Sequence, residues 1–237
     1  MKVLLIIPSY NEEENVLNNY NRILDFNKKS KIKYDAIVIN DGSKDKTEEI
    51  CRENNILYIS LVHNLGIGGA VQTGYKYALK HNYDIAVQFD GDGQHDVNYV
   101  KNIIDPIINR ECDMVIGSRF IDKNSSEFKS SFSRRIGIKL ISFFIKLTTR
   151  KKIYDTTSGF RAVNKEIIKR FSVSYPTEYP EPVSTTELLK CGYKVKEVPV
   201  SMNERIGGVS SIRAWKSAYY MMNVILSIFI VGIRRYK

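Results

Sequence analysis

Cysteine is scarce in this chain: Cys51, Cys112 and Cys191 are the full set, and no two of them form a CxxC pair. An odd, scattered trio argues against a disulfide framework and fits a reducing cytosol. Histidine is as rare, and His63, His81 and His95 do not have the spacing of a zinc site. No uninterrupted apolar run reaches the roughly 18 residues that a membrane-crossing helix requires, so no confident span is expected. No G-x-x-x-x-G-K-S/T loop occurs, which excludes a P-loop ATPase. The glycine cluster Gly66-Ile67-Gly68-Gly69-Ala70 runs into Val71, where the dinucleotide fingerprint needs glycine or alanine, and this argues against a nicotinamide enzyme. The opening Met1-Lys2-Val3-Leu4-Leu5-Ile6-Ile7 is too short for a signal peptide and meets Pro8-Ser9-Tyr10-Asn11-Glu12 at once, so it reads as a first buried strand.

What is present is a chain of 237 residues, 43% hydrophobic, enough to bury one good core with a small appendage. Its formal charge of +10 points to polyanionic partners: nucleotides, nucleic acid or anionic lipid. Nucleic acid would explain the charge but not the carboxylates described next, and no nucleic-acid partner is expected.

Apolar runs alternate with helical patterns through the first half. Strands are expected over 3–7, 36–39, 56–62, 85–89 and 114–116, with helices between them starting near Val16, Lys46, Gly66 and Val97. Ser43 is the expected cap of the second helix. Such alternation gives an α/β fold with a mostly parallel central sheet and helices on both faces. Ligands of these sheets sit beyond the carboxyl ends of the strands. Ser9-Tyr10, Asp41, Asn64 and the pair Asp90 and Asp92 all fall there.

The pair Asp90-Gly91-Asp92 follows the apolar run Ile85-Ala86-Val87 and precedes Gly93-Gln94-His95. Two carboxylates one residue apart at a strand end offer hard oxygen ligands suited to Mg²⁺ or Mn²⁺, which complete their shells with phosphates and water. Asp41 is placed to accept hydrogen bonds from a nucleobase N–H or a ribose hydroxyl. The loop from Asn64 to Gly66 leads into a helix whose N–H groups suit phosphate. Arg119, Arg161 and Arg205 each lie next to short Ser/Gly-rich stretches, and arginine suits bidentate phosphate contacts.

The second half changes character. Residues 128–154 contain no acid but carry Lys129, Arg134, Arg135, Lys139, Lys146, Arg150, Lys151 and Lys152. On a helical wheel Arg135, Lys139, Ser142 and Lys146 form one stripe amid Ile, Leu and Phe, and residues 213–237 repeat the pattern with Lys216, Asn223, Ser227 and Arg234. Mostly apolar helices with a thin basic edge are expected to lie in an anionic membrane interface without spanning it. The plainer alternative is burial against the sheet or against a second copy in a homo-oligomer.

Taken together, the sequence resembles the family 2 inverting glycosyltransferases of GT-A fold, in the branch of dolichol- and polyprenyl-phosphate sugar transferases. The resemblance covers about residues 1–215. It rests on Ile7-Pro8-Ser9-Tyr10-Asn11-Glu12, Val38-Ile39-Asn40-Asp41-Gly42-Ser43, Asn64-Leu65-Gly66, Asp90-Gly91-Asp92-Gly93-Gln94-His95, Gly117-Ser118-Arg119-Phe120, Asp155-Thr156-Thr157-Ser158-Gly159-Phe160-Arg161 and Glu197-Val198-Pro199-Val200. It implies a catalytic domain over 1–212, with an acceptor side near 120–212; the helical pattern described above adds a C-terminal amphipathic helix over 213–237 that meets a membrane interface or an oligomer partner. It further implies that Pro8, Tyr10, Glu12 and Asp41 hold the nucleoside of a UDP- or GDP-sugar, with Asn64 and Gly66 beside it. Asp90, Asp92 and Gln94 would arrange the cation, and Arg119, Arg161 and Arg205 would meet the donor diphosphate or the acceptor.

One departure stands out: relatives place a carboxylate where this chain has Val183. Glu181 is the nearest substitute as general base, on a segment stiffened by Pro176, Pro180 and Pro182. A lipid phosphate is already an anion and needs no base, so Val183 favours polyprenyl phosphate, with a lipid-linked glycan as the other acceptor, at the cytosolic face of a membrane. Two rivals remain: a sugar-phosphate nucleotidyltransferase, which would want a basic glycine-rich loop after the first strand, and a non-catalytic nucleotide-sugar-binding protein.

Overall fold

A computed structural model describes residues 1–30, 32–91, 93–121, 132–201 and 214–234. Its elements run β1 (Val3–Ser9), α1 (Val16–Lys29), β2 (Asp35–Asn40), α2 (Thr47–Glu53), β3 (Tyr58–Ser60), α3 (Gly66–Lys80), β4 (Ile85–Gln88), a 3₁₀ turn (Val97–Tyr99), α4 (Val100–Ile108), β5 (Met114–Ser118), α5 (Phe132–Thr149), β6 (Arg161–Asn164), α6 (Lys165–Val173), α7 (Pro180–Lys190), β7 (Val195–Pro199) and α8 (Ala214–Ile233). The seven strands form one sheet in the order β3-β2-β1-β4-β6-β5-β7. All neighbours are parallel except β6, which runs antiparallel to both β4 and β5.

Strand β1 shows why the sheet is covered on both sides. Its residues are apolar without alternation, and Leu4, Leu5, Ile6 and Ile7 are all buried, as a strand packed on both faces requires. Val3, Leu5 and Ile7 join the core under α1, α2 and α4, whereas Leu4 and Ile6 join the one under α3, α6, α7 and the inner sides of α5 and α8. Each such side chain contributes about 1.5–3 kcal/mol of hydrophobic stabilisation.

Three local expectations give way. Strand β3 is shorter than 56–62, because only 58–60 pair with β2. Ser43 does not cap α2; it accepts the Asn11 N–H, and Asp45 takes the Thr47 N–H at the helix start. Ser142 is not on an exposed stripe of α5: it is buried and donates to the Ile153 carbonyl, so the exposed basic edge consists of Arg135, Lys139 and Lys146.

The antiparallel course of β6 matters for function. A strand running against its neighbours enters at their carboxyl edge, so the segment before it, 155–160, is delivered to the edge where ligands of the parallel strands sit.

Candidate active site

A cavity of about 550 Å³ opens at that edge, lined by Pro8 and Ser9 at the end of β1 with Tyr10 and Glu12 beyond it, Asp41 after β2, Asn64, Gly66, Ile67 and Ala70 around the start of α3, Gln88 at the end of β4 with Asp90 and Gly91 beyond it, Thr157 and Gly159 before β6, and Glu181 at the start of α7. Eight of the residues singled out in the sequence meet here: Pro8, Tyr10, Glu12, Asp41, Asn64, Gly66, Asp90 and Glu181. Gln94 is half-buried on the following loop and does not line the cavity. Asp92 and Arg205 lie outside the described residues.

Each wall residue is held by an identifiable contact. Asp41 is buried and accepts the Leu65 N–H at 2.7 Å, joining the end of β2 to the start of α3. Burial raises its pKa, opposed by the Leu65 and Gly66 N–H groups. The turn after Asp41 admits only glycine: Gly42 has φ +67, and a Cβ there would fall 2.9 Å from the Asn64 nitrogen. Asn64 in turn accepts the Gly66 N–H.

Asp90 is placed by His95, which is buried and stacked on Phe160 with ring centroids 4.6 Å apart. The Asp90 N–H donates to His95 Nδ1 at 2.9 Å, which leaves the imidazole proton on Nε2, 3.5 Å from the Asp90 carboxylate. Glu181 sits in the first turn of α7, and Gln88 Nε2 lies 3.5 Å from its Oε1. Desolvation raises the Glu181 pKa; Arg161 lowers it and Asp90 raises it further.

Glu12, Asp41, Asp90 and Glu181 therefore line one cavity in a protein of net positive charge. Crowded carboxylates raise one another's pKa unless a cation offsets them. The donor set is all hard oxygen, and among the described residues no three His, Cys, Asp or Glu side chains close into a cage of their own. One or two carboxylates with open positions suit Mg²⁺ or Mn²⁺ binding a phosphate, so the residues fit such an ion.

The arginines are used differently from expectation. Arg119 is buried and bidentate on the buried Asp155, with Nε to Oδ2 and Nη2 to Oδ1 both 2.8 Å. Arg161 is buried too and donates to the carbonyls of Ser158 and Glu181 and to Thr185 Oγ1 at 2.6, 2.7 and 2.9 Å. Neither lines the cavity. Arg119 braces the 155–160 segment against β5, and Arg161 pins the first turn of α7 to the sheet, which sets where Glu181 stands. Glu187, the other carboxylate near Val183, is bound to Arg170 at 2.6 Å.

Gln88, Thr157 and Gly159 are wall residues beyond those singled out in the sequence. Gln88 carried a signal, being a lone polar residue in the buried run of β4, with Oε1 buried and without a hydrogen-bond partner. Glu197 was also passed over as a support: it accepts the Tyr154 and Asp155 N–H groups at 2.8 and 2.7 Å and fixes the approach to 155–160.

A mostly parallel seven-stranded sheet, with β6 antiparallel between β4 and β5 and an acidic cavity at its carboxyl edge, is the GT-A fold. The model of glycosyl transferase family 2 matches residues 4–171, and the chain belongs to that family. It is a glycosyltransferase. Among similar proteins, UDP-N-acetylglucosamine–dolichyl-phosphate N-acetylglucosaminyltransferase of Methanococcus voltae is 36% identical over 219 residues, covering 84% of this chain and 84% of that protein. Dolichol-phosphate mannosyltransferase of Pyrococcus furiosus is 30% identical over 230 residues, covering 94% of this chain and 63% of that protein. Among solved structures, glucosyl-3-phosphoglycerate synthase from Mycobacterium tuberculosis in complex with Mn²⁺, UDP and phosphoglyceric acid shares the fold with a TM-score of 0.69 at 16% identity, covering 100% of this chain and 80% of that one.

Proposed function

We propose that this enzyme moves a sugar from a UDP- or GDP-sugar to a polyprenyl phosphate, with inversion and with Mg²⁺ or Mn²⁺, at the cytosolic face of a membrane during glycoconjugate synthesis. The observation that carries the reading is the meeting of Glu12, Asp41, Asp90 and Glu181 in one cavity at the carboxyl edge of the sheet. The names of the two relatives above support the acceptor class, and the Mn²⁺ and UDP of the structural neighbour support the donor class.

In this assignment Pro8, Tyr10, Glu12 and Asp41 hold the nucleoside, and Asn64 and Gly66 lie beside it. Asp90, Asp92 and Gln94 are the residues assigned to the ion, whose part is to offset the charge that builds on the diphosphate. The acceptor phosphate oxygen bonds to the anomeric carbon from the face opposite the diphosphate, and the bond from that carbon to the donor phosphate oxygen breaks, releasing UDP or GDP. The nucleophile arrives as an anion, so no proton is removed. Glu181 would act as a base only for a hydroxyl acceptor such as a lipid-linked glycan.

Purified protein with Mn²⁺, a panel of UDP- and GDP-sugars and a polyprenyl phosphate is expected to yield a glycosyl phospholipid and free nucleotide. Binding of no sugar nucleotide and turnover of none would defeat the proposal.

A further inference from the structure

Strands β2, β1, β4 and β6 are consecutive neighbours in the sheet, each about 4.8 Å from the next. At the carboxyl edge they present, in that order, Asp41, then Tyr10 and Glu12, then Asp90, and at the entry of β6 Thr157 and Gly159. With the nucleoside at Asp41 and Tyr10 and the diphosphate at Asp90, the sugar bonded to the outer phosphate falls at the β6 end. The side chains that line the cavity there are Thr157, Gln88 and Glu181.

Glu181 is held by neighbours on two adjacent strands. Gln88 of β4 and Arg161 of β6 are paired across the sheet. Arg161 Nη1 donates to the Glu181 carbonyl at 2.7 Å, and Gln88 Nε2 reaches the Glu181 carboxylate at 3.5 Å. Backbone and side chain of one residue are thus fixed from below. Gln88 is fully buried, and its Oε1 has no hydrogen-bond partner. A buried amide with one end unsatisfied costs stability, which an apolar side chain in β4 would avoid. Its use therefore lies with Glu181, which is half-buried and lines the cavity.

Charge selects the occupant. Among the described residues no lysine, arginine or histidine lines the cavity, because Arg119 and Arg161 are engaged with Asp155 and with the start of α7. A carboxylate, an amide and a hydroxyl facing one space suit neutral hydroxyl or acetamido groups. A carboxylate on the sugar would lie against Asp90 and Glu181 with no side-chain cation to offset it.

We propose that Glu181 reads the donor sugar, accepting its hydroxyl or acetamido protons, with Gln88 as the positioning residue behind it, and that this sugar is a neutral hexose or N-acetylhexosamine rather than a uronic acid. Resting on the transferase reading above, the assignment gives Glu181 a part in a reaction whose phosphate acceptor needs no base.

The test is calorimetric titration of the full chain with Mn²⁺, using UDP, GDP, neutral UDP- and GDP-sugars, UDP-glucuronate, and single-deoxy analogues of the neutral sugar nucleotide that binds best. Melting temperatures are measured alongside. Wild type is expected to bind that ligand about tenfold or more tightly than UDP-glucuronate and than at least one deoxy analogue. Glu181→Ala should weaken it about 10- to 100-fold, shift the matching nucleoside diphosphate less than about twofold, and erase the discrimination against the deoxy analogue. Gln88→Met should act in the same direction by about three- to tenfold, with a melting temperature no lower than wild type. Glu181→Gln, which keeps the size and one acceptor oxygen, should fall between Glu181→Ala and wild type, and it decides the matter if Glu181→Ala does not fold. Equal losses for the sugar nucleotide and its nucleoside diphosphate, deoxy discrimination that survives Glu181→Ala, or UDP-glucuronate as the best ligand would overturn the proposal and leave the transferase reading standing. A wild type that binds no nucleotide and no sugar nucleotide would sink both.

Discussion

Substituting Gly159 tests whether the Asp90 carboxylate must stand where it does. A Cβ on Gly159 would lie 2.8 Å from Asp90 Oδ2, 3.0 Å from Oδ1 and 3.1 Å from Gln88 Nε2. Ordinary contacts begin near 3.4 Å, so the nearer oxygen is overlapped by several tenths of an ångström. Because both oxygens are close, turning the carboxylate about its own axis does not clear the methyl, and the group must shift as a unit. The backbone is no obstacle, since Gly159 is not among the glycines of positive φ. A misplacement of about 1 Å at a reacting centre costs about 100-fold, so a shift of roughly half that is expected to lower kcat/KM about 10- to 100-fold, or about 1.4–2.7 kcal/mol. The assay is nucleotide release titrated with Mn²⁺: Gly159→Ala should need more Mn²⁺ for half-maximal rate while unfolding cooperatively within about 1–3 kcal/mol of wild type. An alanine variant with wild-type rate and wild-type Mn²⁺ dependence would refute the placement of the ion at Asp90.

Asp155→Ala strands the buried Arg119 guanidinium and should cost about 3–5 kcal/mol in urea unfolding; a loss below about 1 kcal/mol would show that the bidentate pair is not a brace. Asp41 has a native pKa above its ordinary 3.8 through burial, so the native state holds that proton more tightly than the unfolded chain. Its contribution is present below pH 3.8 and is lost as pH rises through the native value. Asp41→Asn should therefore flatten the decline in urea midpoint above pH 3.8, and an unchanged pH slope would contradict the assignment. With a polyprenyl phosphate acceptor, Glu181→Gln should keep kcat within about tenfold of wild type; a loss of about 10³ or more in a steady-state assay would contradict the claim that a phosphate acceptor needs no base.

Much of the architecture was legible because parallel strands buried on both faces write themselves as unbroken apolar runs, as Val3 to Ile7 does. Strand ends followed by Asp41 and Asp90 put both carboxylates at the carboxyl edge of the sheet, and the cavity there contains both. The direction of β6 was not legible: Arg161–Asn164 is short, and its pairing with β4 is set by contacts between segments far apart in sequence. The role of Arg119 was hidden for the same reason, since Asp155 is 36 residues away and only the fold brings the two together. Ser43 shows the limit of capping rules, because a hydroxyl near a helix start was taken by a neighbouring loop at Asn11. Ser142 shows the limit of the helical wheel: a small hydroxyl buries at little cost once it donates to a carbonyl such as that of Ile153.

The ion and the diphosphate at the mouth of β4 are best tested by calorimetric titration of UDP and of GDP into the protein with and without Mn²⁺, for wild type and Asp90→Asn. Wild type should bind at least one of the two nucleotides, about tenfold or more tightly with Mn²⁺, and Asp90→Asn should abolish that gain while retaining its fold. Equal affinity with and without the ion, or a gain that survives Asp90→Asn, would contradict the account.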